Sequence, residues 1–152
     1  YLLGVRSSAF LAGYLNFYFH LIFKNVTLVQ SAAGEIFDQM LRIDPGDVLV
    51  GISFPRYSQI AVNAVRFARD RGADVIAVTD SKMSPIYKMA SASLLVSSDM
   101  ISFVDSMAAP VSLLNALIMA VGQQKSEETA ESFSELERVW SQYGVFGDAE
   151  DE

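Results

Sequence analysis

The chain has no cysteine, and its 152 residues include only one histidine, one tryptophan and four prolines. Without cysteine it can form no disulfide, no thiolate metal site and no thiol nucleophile. The missing disulfides fit a reducing compartment, so we expect a cytoplasmic protein. No metal-ligand spacing, phosphate-binding P-loop or dinucleotide fingerprint is present. We therefore expect neither a metal nor a cofactor.

Long hydrophobic runs are also missing. The longest, residues 9–23, includes Asn16 and His20 and is too short to span a bilayer comfortably. The start of the chain shows no secretory signal pattern. We therefore expect no membrane partner. Because the chain opens on Tyr1 without an initiator methionine, we also expect that a preceding segment is missing.

Basic charge is scarce, and the net charge is −7. From Ser126 onward, nine acidic residues accompany a single basic residue, Arg138, so the first 125 residues are nearly neutral. No basic face is evident, and the chain itself is not expected to bind nucleic acid. An apolar content of 51% at this length predicts one domain with a substantial core. We place that domain at residues 1–124, with an amphipathic helix and acidic tail at residues 125–152 packed on it or extending it.

Short apolar runs alternate with segments of helical spacing about five times. The clearest unit is the apolar run 48–52, followed by the polar loop 53–58 and by helical spacing over residues 59–71. Short strands that are apolar on both faces are typical of parallel sheets. We predict an α/β fold, a three-layer αβα sandwich with a five-stranded parallel sheet of the flavodoxin-like or Rossmann-like kind. The other strands are expected at residues 1–5, 25–30, 73–79 and 93–96.

Further helices are expected at residues 9–23, 35–41 and 103–121, in a short helix that starts at Ser84 and Pro85, and in a last helix from Ser126. Pro110 should kink or divide the long apolar helix, because proline cannot donate an amide within a helix. The first and the penultimate helices are apolar nearly all round, so we expect them to pack on more than one side. They predict a homodimer or a tetramer.

The carboxyl ends of the strands are the expected ligand site of such a sheet. Each loop expected at this edge contains serine: residues 6–8, 30–34, 53–58, 79–84 and 97–102. The loop before the helix at residue 59 combines Ser53, Arg56 and Ser58 with amides that have no partner inside the helix, an arrangement that favours an anion. We predict a phosphate site there. The serines could instead act as turn or N-cap residues, and Ser7 and Ser8 have the same two interpretations.

Five segments together resemble a known family. They are residues 4–8 (Gly-Val-Arg-Ser-Ser), 25–31, 34–38, 52–58 (Ile-Ser-Phe-Pro-Arg-Tyr-Ser) and 78–81 with the following Ser-Pro pair. Residues 2–121 resemble the sugar isomerase (SIS) domain, and more closely the effector-binding domain of RpiR/MurR-type bacterial transcription regulators. The resemblance implies a phosphosugar ligand whose phosphate is held by Ser8, Ser53 and Ser58. It also implies a preceding helix-turn-helix domain that would bind the DNA.

The chain departs from the family's motifs at three positions. Arg6 stands at the second glycine of the first turn, Arg56 at a glycine of the third loop, and Pro55 at a serine. One interpretation is that the two arginines supply charge to the ligand in place of lost amides and hydroxyls. The other is that Arg6 closes the site or pairs with a neighbouring acid.

The functional prediction is a phosphosugar-binding sensory domain of a transcription regulator, with Ser7, Gln30 and Ser31 as additional candidate ligands. Ligand binding would shift the geometry of a dimer and so change DNA affinity. The alternative is an aldose–ketose phosphate isomerase with Glu35 as the base, although Glu35 also suits the start of a helix. A third possibility is an inert dimerisation module closed by Arg6.

Overall fold

The computed structural model describes residues 1–30, 36–101 and 103–146. Five strands form one sheet in which every neighbouring pair is parallel. They are β1 (Leu2–Gly4), β2 (Leu28–Val29), β3 (Val48–Ile52), β4 (Asp74–Thr79) and β5 (Ala92–Leu95). Their order across the sheet is β2-β1-β3-β4-β5. The predicted α/β fold with a five-stranded parallel sheet is confirmed.

Helices follow four of the five strands as the alternating pattern predicts, but after β4 the short helix expected from Ser84 is only a 3₁₀ turn. They are α1 (Ser8–Ile22), α2 (Ile36–Gln39), α3 (Gln59–Asp70), α4 (Ala108–Gln124) and α5 (Ser126–Tyr143), with a 3₁₀ turn at Tyr87–Met89. A two-stranded antiparallel ribbon, β6 (Met100–Ile101) and β7 (Val104–Asp105), lies between β5 and α4. None of the helices in the described ranges has both the length and the apolar character needed to cross a bilayer.

Two buried clusters flank the sheet, because successive strand residues point to opposite faces. Leu3 and Leu49 join the cluster that α3 covers, whereas Leu2 and Val50 join the cluster beneath α1 and α4. This division produces the three layers. The last helix, α5, packs on α1 and α4 and ends at Gly144 in the left-handed conformation common at helix ends.

The prediction of a helix over residues 103–121 is wrong at the amino end of that helix. It begins at Ala108, and Pro110 occupies its first turn, where an amide has no partner within the helix and its absence costs little. No kink is therefore required. The preceding Val104 and Asp105 pair with Met100 and Ile101 in the ribbon instead. Apolar periodicity could not show this, because a short apolar run reads equally as strand or helix.

Gly4 controls how closely α1 approaches the sheet. A Cβ at Gly4 would lie 2.2 Å from the carbonyl oxygen of Ser8 and 2.7 Å from its carbonyl carbon. Both atoms belong to backbone that is fixed in the first turn of α1. The absence of a side chain therefore allows the chain to turn sharply from β1 into α1.

Gly4→Ala should lower the free energy of unfolding by about 3 kcal/mol or more, since the added methyl meets backbone that cannot move aside. The matched control is Gly13→Ala in α1, where an added Cβ meets nothing within 4 Å. That variant should gain about 0.5–1 kcal/mol, because alanine loses less backbone entropy in a helix. Urea unfolding of both variants measures the difference. Equal stabilities would refute the close-approach argument.

Candidate functional site

The carboxyl edge of the sheet carries the two turns that the sequence analysis singled out. Arg6 follows β1 with φ of 54°, and Arg56 follows β3 with φ of 68°. Both values lie in the left-handed region, which is strained for residues with a side chain and is most readily adopted by glycine. These are the two positions at which the sequence has arginine in place of a motif glycine, so the backbone keeps a glycine-like turn at both.

The amino end of α3 is open to an anion. Ser58 occupies the N-cap position in extended conformation, but its hydroxyl makes no capping hydrogen bond. The first helical bond runs from the Val62 amide to the Ser58 carbonyl, 3.1 Å away. Within the described ranges, the amides of Gln59, Ile60 and Ala61 have no acceptor. Three amide donors and the positive end of the helix dipole thus remain available to a ligand.

Ser53 follows β3 in the loop that leads to this helix and is only 4% exposed. Its amide donates to the Val78 carbonyl at 3.1 Å, and its carbonyl accepts a 2.6 Å hydrogen bond from the buried hydroxyl of Thr79. The hydroxyl oxygens of Thr79 and Ser84 lie 2.9 Å apart. Because the Thr79 proton is used in the bond to Ser53, the Ser84 hydroxyl donates to Thr79. The backbone of Ser53 is thereby fixed to β4, while its own hydroxyl has no protein partner in the part of the chain that the structure describes.

Asp105 links the first and third loops. Its Oδ2 accepts a 3.1 Å hydrogen bond from the hydroxyl of Ser7, and its Oδ1 lies 3.6 Å from Nη2 of Arg56. Sequence reasoning missed Asp105. The residue lies 98 positions from Ser7, and no local pattern indicated that the ribbon would reach these loops.

Arg6 and Gln30 lie at the ends of the adjacent strands β1 and β2. They line a cavity of about 670 Å³ together with Gly4, Ala9, Phe10, Leu28 and Val29. The Gln30 backbone is held by the Gln39 side chain through two hydrogen bonds of 2.9 Å. In the described ranges Arg6 makes no ion pair, and of the two arginines at motif glycines it is Arg56 that pairs with an acid.

The remaining candidate site residues differ in where they lie. Ser8 is buried in the first turn of α1, and Ser7 takes the N-cap position without a capping bond from its hydroxyl. Ser31 and Glu35 lie outside the described residues. Within the ranges that the structure does describe, no group of three acidic or histidine residues could hold a metal ion.

Tyr57 closes the third loop against β4. Its hydroxyl donates to Oδ1 of Asp80 at 2.9 Å. Burial and then the neighbouring Asp80 carboxylate raise the pKa of Tyr57, so the hydroxyl stays protonated and keeps donating at neutral pH. The carboxylate of Asp80 is therefore engaged by the loop rather than by a helix end.

Comparison with known protein families identifies the domain that carries this edge. The SIS domain model matches residues 1–120 of the chain. The chain belongs to the SIS domain family. This SIS domain is 29% identical over 105 residues to an HTH-type transcriptional regulator from Caldanaerobacter subterraneus subsp. tengcongensis. The match covers 66% of this chain and 37% of that regulator, so the SIS domain spans well under half of its relative.

Two solved structures resemble this SIS domain closely in shape. The sugar isomerase domain of an RpiR transcription factor from Sphaerobacter thermophilus superposes with a TM-score of 0.80, at 22% identity over 86% of this chain and 73% of that chain. The Vibrio vulnificus NanR protein, complexed with ManNAc-6P, superposes with a TM-score of 0.77, at 17% identity over 95% of this chain and 55% of that chain. At these identities the likeness shows a shared fold.

The left-handed backbone at Arg56 predicts that glycine is more stable than alanine there, which is the opposite of their order within a helix. Arg56→Gly should be about 1 kcal/mol more stable than Arg56→Ala, since only glycine adopts this φ without strain. At Arg66, an exposed position within α3, the order should reverse, with alanine more stable by about 1 kcal/mol. Thermal unfolding of the four variants tests this. The same order at both positions would contradict the strained turn.

Proposed function

We propose that this SIS domain binds a phosphosugar at the carboxyl edge of its sheet and acts as the sensory domain of a transcription regulator. The observation that carries the proposal is the open amino end of α3, where three amides and, in the preceding loop, the hydroxyls of Ser53 and Ser58 have no partner among the described residues. A phosphate group supplies the acceptors that these donors lack, and helix amino ends favour such anions.

The charge of the site supports an anionic ligand. Arg56 is 66% exposed along its side chain, so its guanidinium can turn towards a phosphate group while the strained backbone keeps the loop in place. Arg6 adds a second guanidinium on the neighbouring strand end. Adjacent strands lie about 4.8 Å apart, so these loops can serve one ligand.

We assign the sugar part of the ligand to the cavity lined by Arg6 and Gln30. An amide side chain both donates and accepts hydrogen bonds, which suits the hydroxyl groups of a sugar. Phe10 in the same lining provides an apolar surface for a ring face. With this assignment, the phosphate lies at the carboxyl end of β3 and the sugar lies at the carboxyl end of the adjacent strand, β1.

The regulatory part of the proposal rests on the relatives. The Caldanaerobacter relative is an HTH-type regulator, and NanR was solved with ManNAc-6P. We propose that DNA binding belongs to a segment outside this domain and that the protein works in the cytoplasm. For ligand binding to change the DNA affinity, the phosphosugar must stabilise one arrangement of the subunits more than another.

Isothermal titration with a panel of hexose and amino-sugar phosphates tests the site. Ser53→Ala combined with Ser58→Ala should weaken the best ligand more than tenfold, because two donors to the phosphate are lost. The control is Ser112→Ala on α4, whose exposed hydroxyl bonds only to the Ala108 carbonyl of its own helix. Unchanged affinity in the double variant would refute the phosphate site.

We also propose that the domain forms a homodimer or a tetramer through α1 and α4. Both helices are largely apolar, and each leaves a large apolar side chain exposed. Phe17 on α1 is 64% exposed and Met119 on α4 is 66% exposed. Light scattering at micromolar concentration should give a multiple of the monomer mass, and Phe17→Ser should shift it towards the monomer. Phe103→Ser, on the exposed ribbon, is the control. A monomeric native protein would contradict this proposal.

A further inference from the structure

Asp105 contacts Arg56, which the proposed function assigns to the phosphate, and Ser7, an additional candidate ligand on the neighbouring loop. The Ser7 hydroxyl donates to its Oδ2 at 3.1 Å, and the Arg56 guanidinium approaches its Oδ1 at 3.6 Å. A hydroxyl and a guanidinium on adjacent loops are the donors that either a carboxylate or a phosphate would use. The carboxylate of Asp105 thus makes, from within the chain, contacts of the kind that an anionic ligand would make.

A bound phosphate and the Asp105 carboxylate compete for these donors. Both are anions, so placing them side by side on one guanidinium is unfavourable. Asp105 is 21% exposed and its partner Arg56 is 66% exposed, so this ion pair is only partly shielded from solvent. The contact is weak enough to be exchanged for a ligand.

The position of Asp105 connects this exchange to the rest of the domain. It ends β7 and pairs with Met100 across the ribbon. The base of the ribbon is tied by the Ser106 amide, which donates to the Asp99 carbonyl at 3.1 Å. Two residues after Asp105, Met107 packs in the cluster beneath α1 and α4 and precedes the first residue of α4. A movement of Asp105 therefore acts on the amino end of α4.

We infer that Asp105 is an internal competitor, which occupies the ligand's donors in the free protein and is displaced by the phosphate group of the ligand. Displacement releases the ribbon from the first and third loops, and the start of α4 responds. This inference rests on the proposed function, because it concerns regulation of that same phosphate site.

Competition from Asp105 should weaken the affinity for the ligand only modestly. Exposed ion pairs are worth a factor of about five or less in an equilibrium constant. Removing the carboxylate should therefore tighten anion binding about fivefold. Asp105→Asn is the suitable change, since asparagine keeps an oxygen that can accept from Ser7 and removes only the charge.

The test is a titration of the full 152-residue chain with inorganic phosphate at constant ionic strength, followed by ¹⁵N–¹H NMR. The amides of Gln59 and Ile60 report on the proposed phosphate site, and the amide of Ser106 reports on the ribbon. Phosphate should shift all three in the native protein. In Asp105→Asn the dissociation constant should fall about fivefold, and the response of Ser106 should largely vanish.

Asp99→Asn is the matched control, because Asp99 is an exposed acid at the base of the same ribbon and its side chain forms no hydrogen bond or ion pair with the described residues. Its dissociation constant for phosphate should stay within about twofold of the native value. If both asparagine variants tighten equally, or neither does, while phosphate still shifts Gln59 and Ile60, the inference is wrong and the phosphate site stands. If phosphate shifts these amides in no variant, the proposed site fails and the inference fails with it.

Discussion

The close contact between β1 and the first turn of α1 is the constraint on which the carboxyl edge depends. Gly4 has no side chain, and only for that reason can the Ser8 carbonyl lie where a Cβ would be. The chain must then reverse within three residues, which places Arg6 in a left-handed conformation and brings the Ser7 hydroxyl to Asp105 on the ribbon. The same contact holds α1 on the sheet, so packing and site geometry have one origin.

The site contains several donors that have no acceptor among the described residues. The amino end of α3 has no cap, the Ser53 hydroxyl is unbonded within the described residues, and Arg56 is held in a strained turn. Each of these features lowers the stability of the free protein relative to a capped helix and an unstrained loop. Such departures from the most stable arrangement tend to mark functional positions, because an anion can satisfy the donors that the fold leaves open.

The fold alone does not distinguish a sensor from an enzyme, since function resides in particular residues placed on a common scaffold. The residues that the structure assembles here are hydrogen-bond donors and cations, which are suited to the proposed binding of an anion. Hydroxyls, amides and guanidinium groups surround the proposed phosphate position, and the Asp80 carboxylate is engaged by Tyr57. Asp105 ends a ribbon that leads into α4, so we propose that it responds to a ligand rather than holds one.

The sequence by itself determined the β3–loop–α3 unit, the parallel sheet and the serines of the third loop. Those features depend on local periodicity and on turn residues, which are readable over a few positions. It did not determine that Pro110 opens α4, that the ribbon precedes this helix, or that Asp105 reaches Ser7. Contacts between residues 98 positions apart leave no mark in local pattern. Only the packing of the layers decides which side chains meet, because it fixes where the ends of distant strands and loops lie.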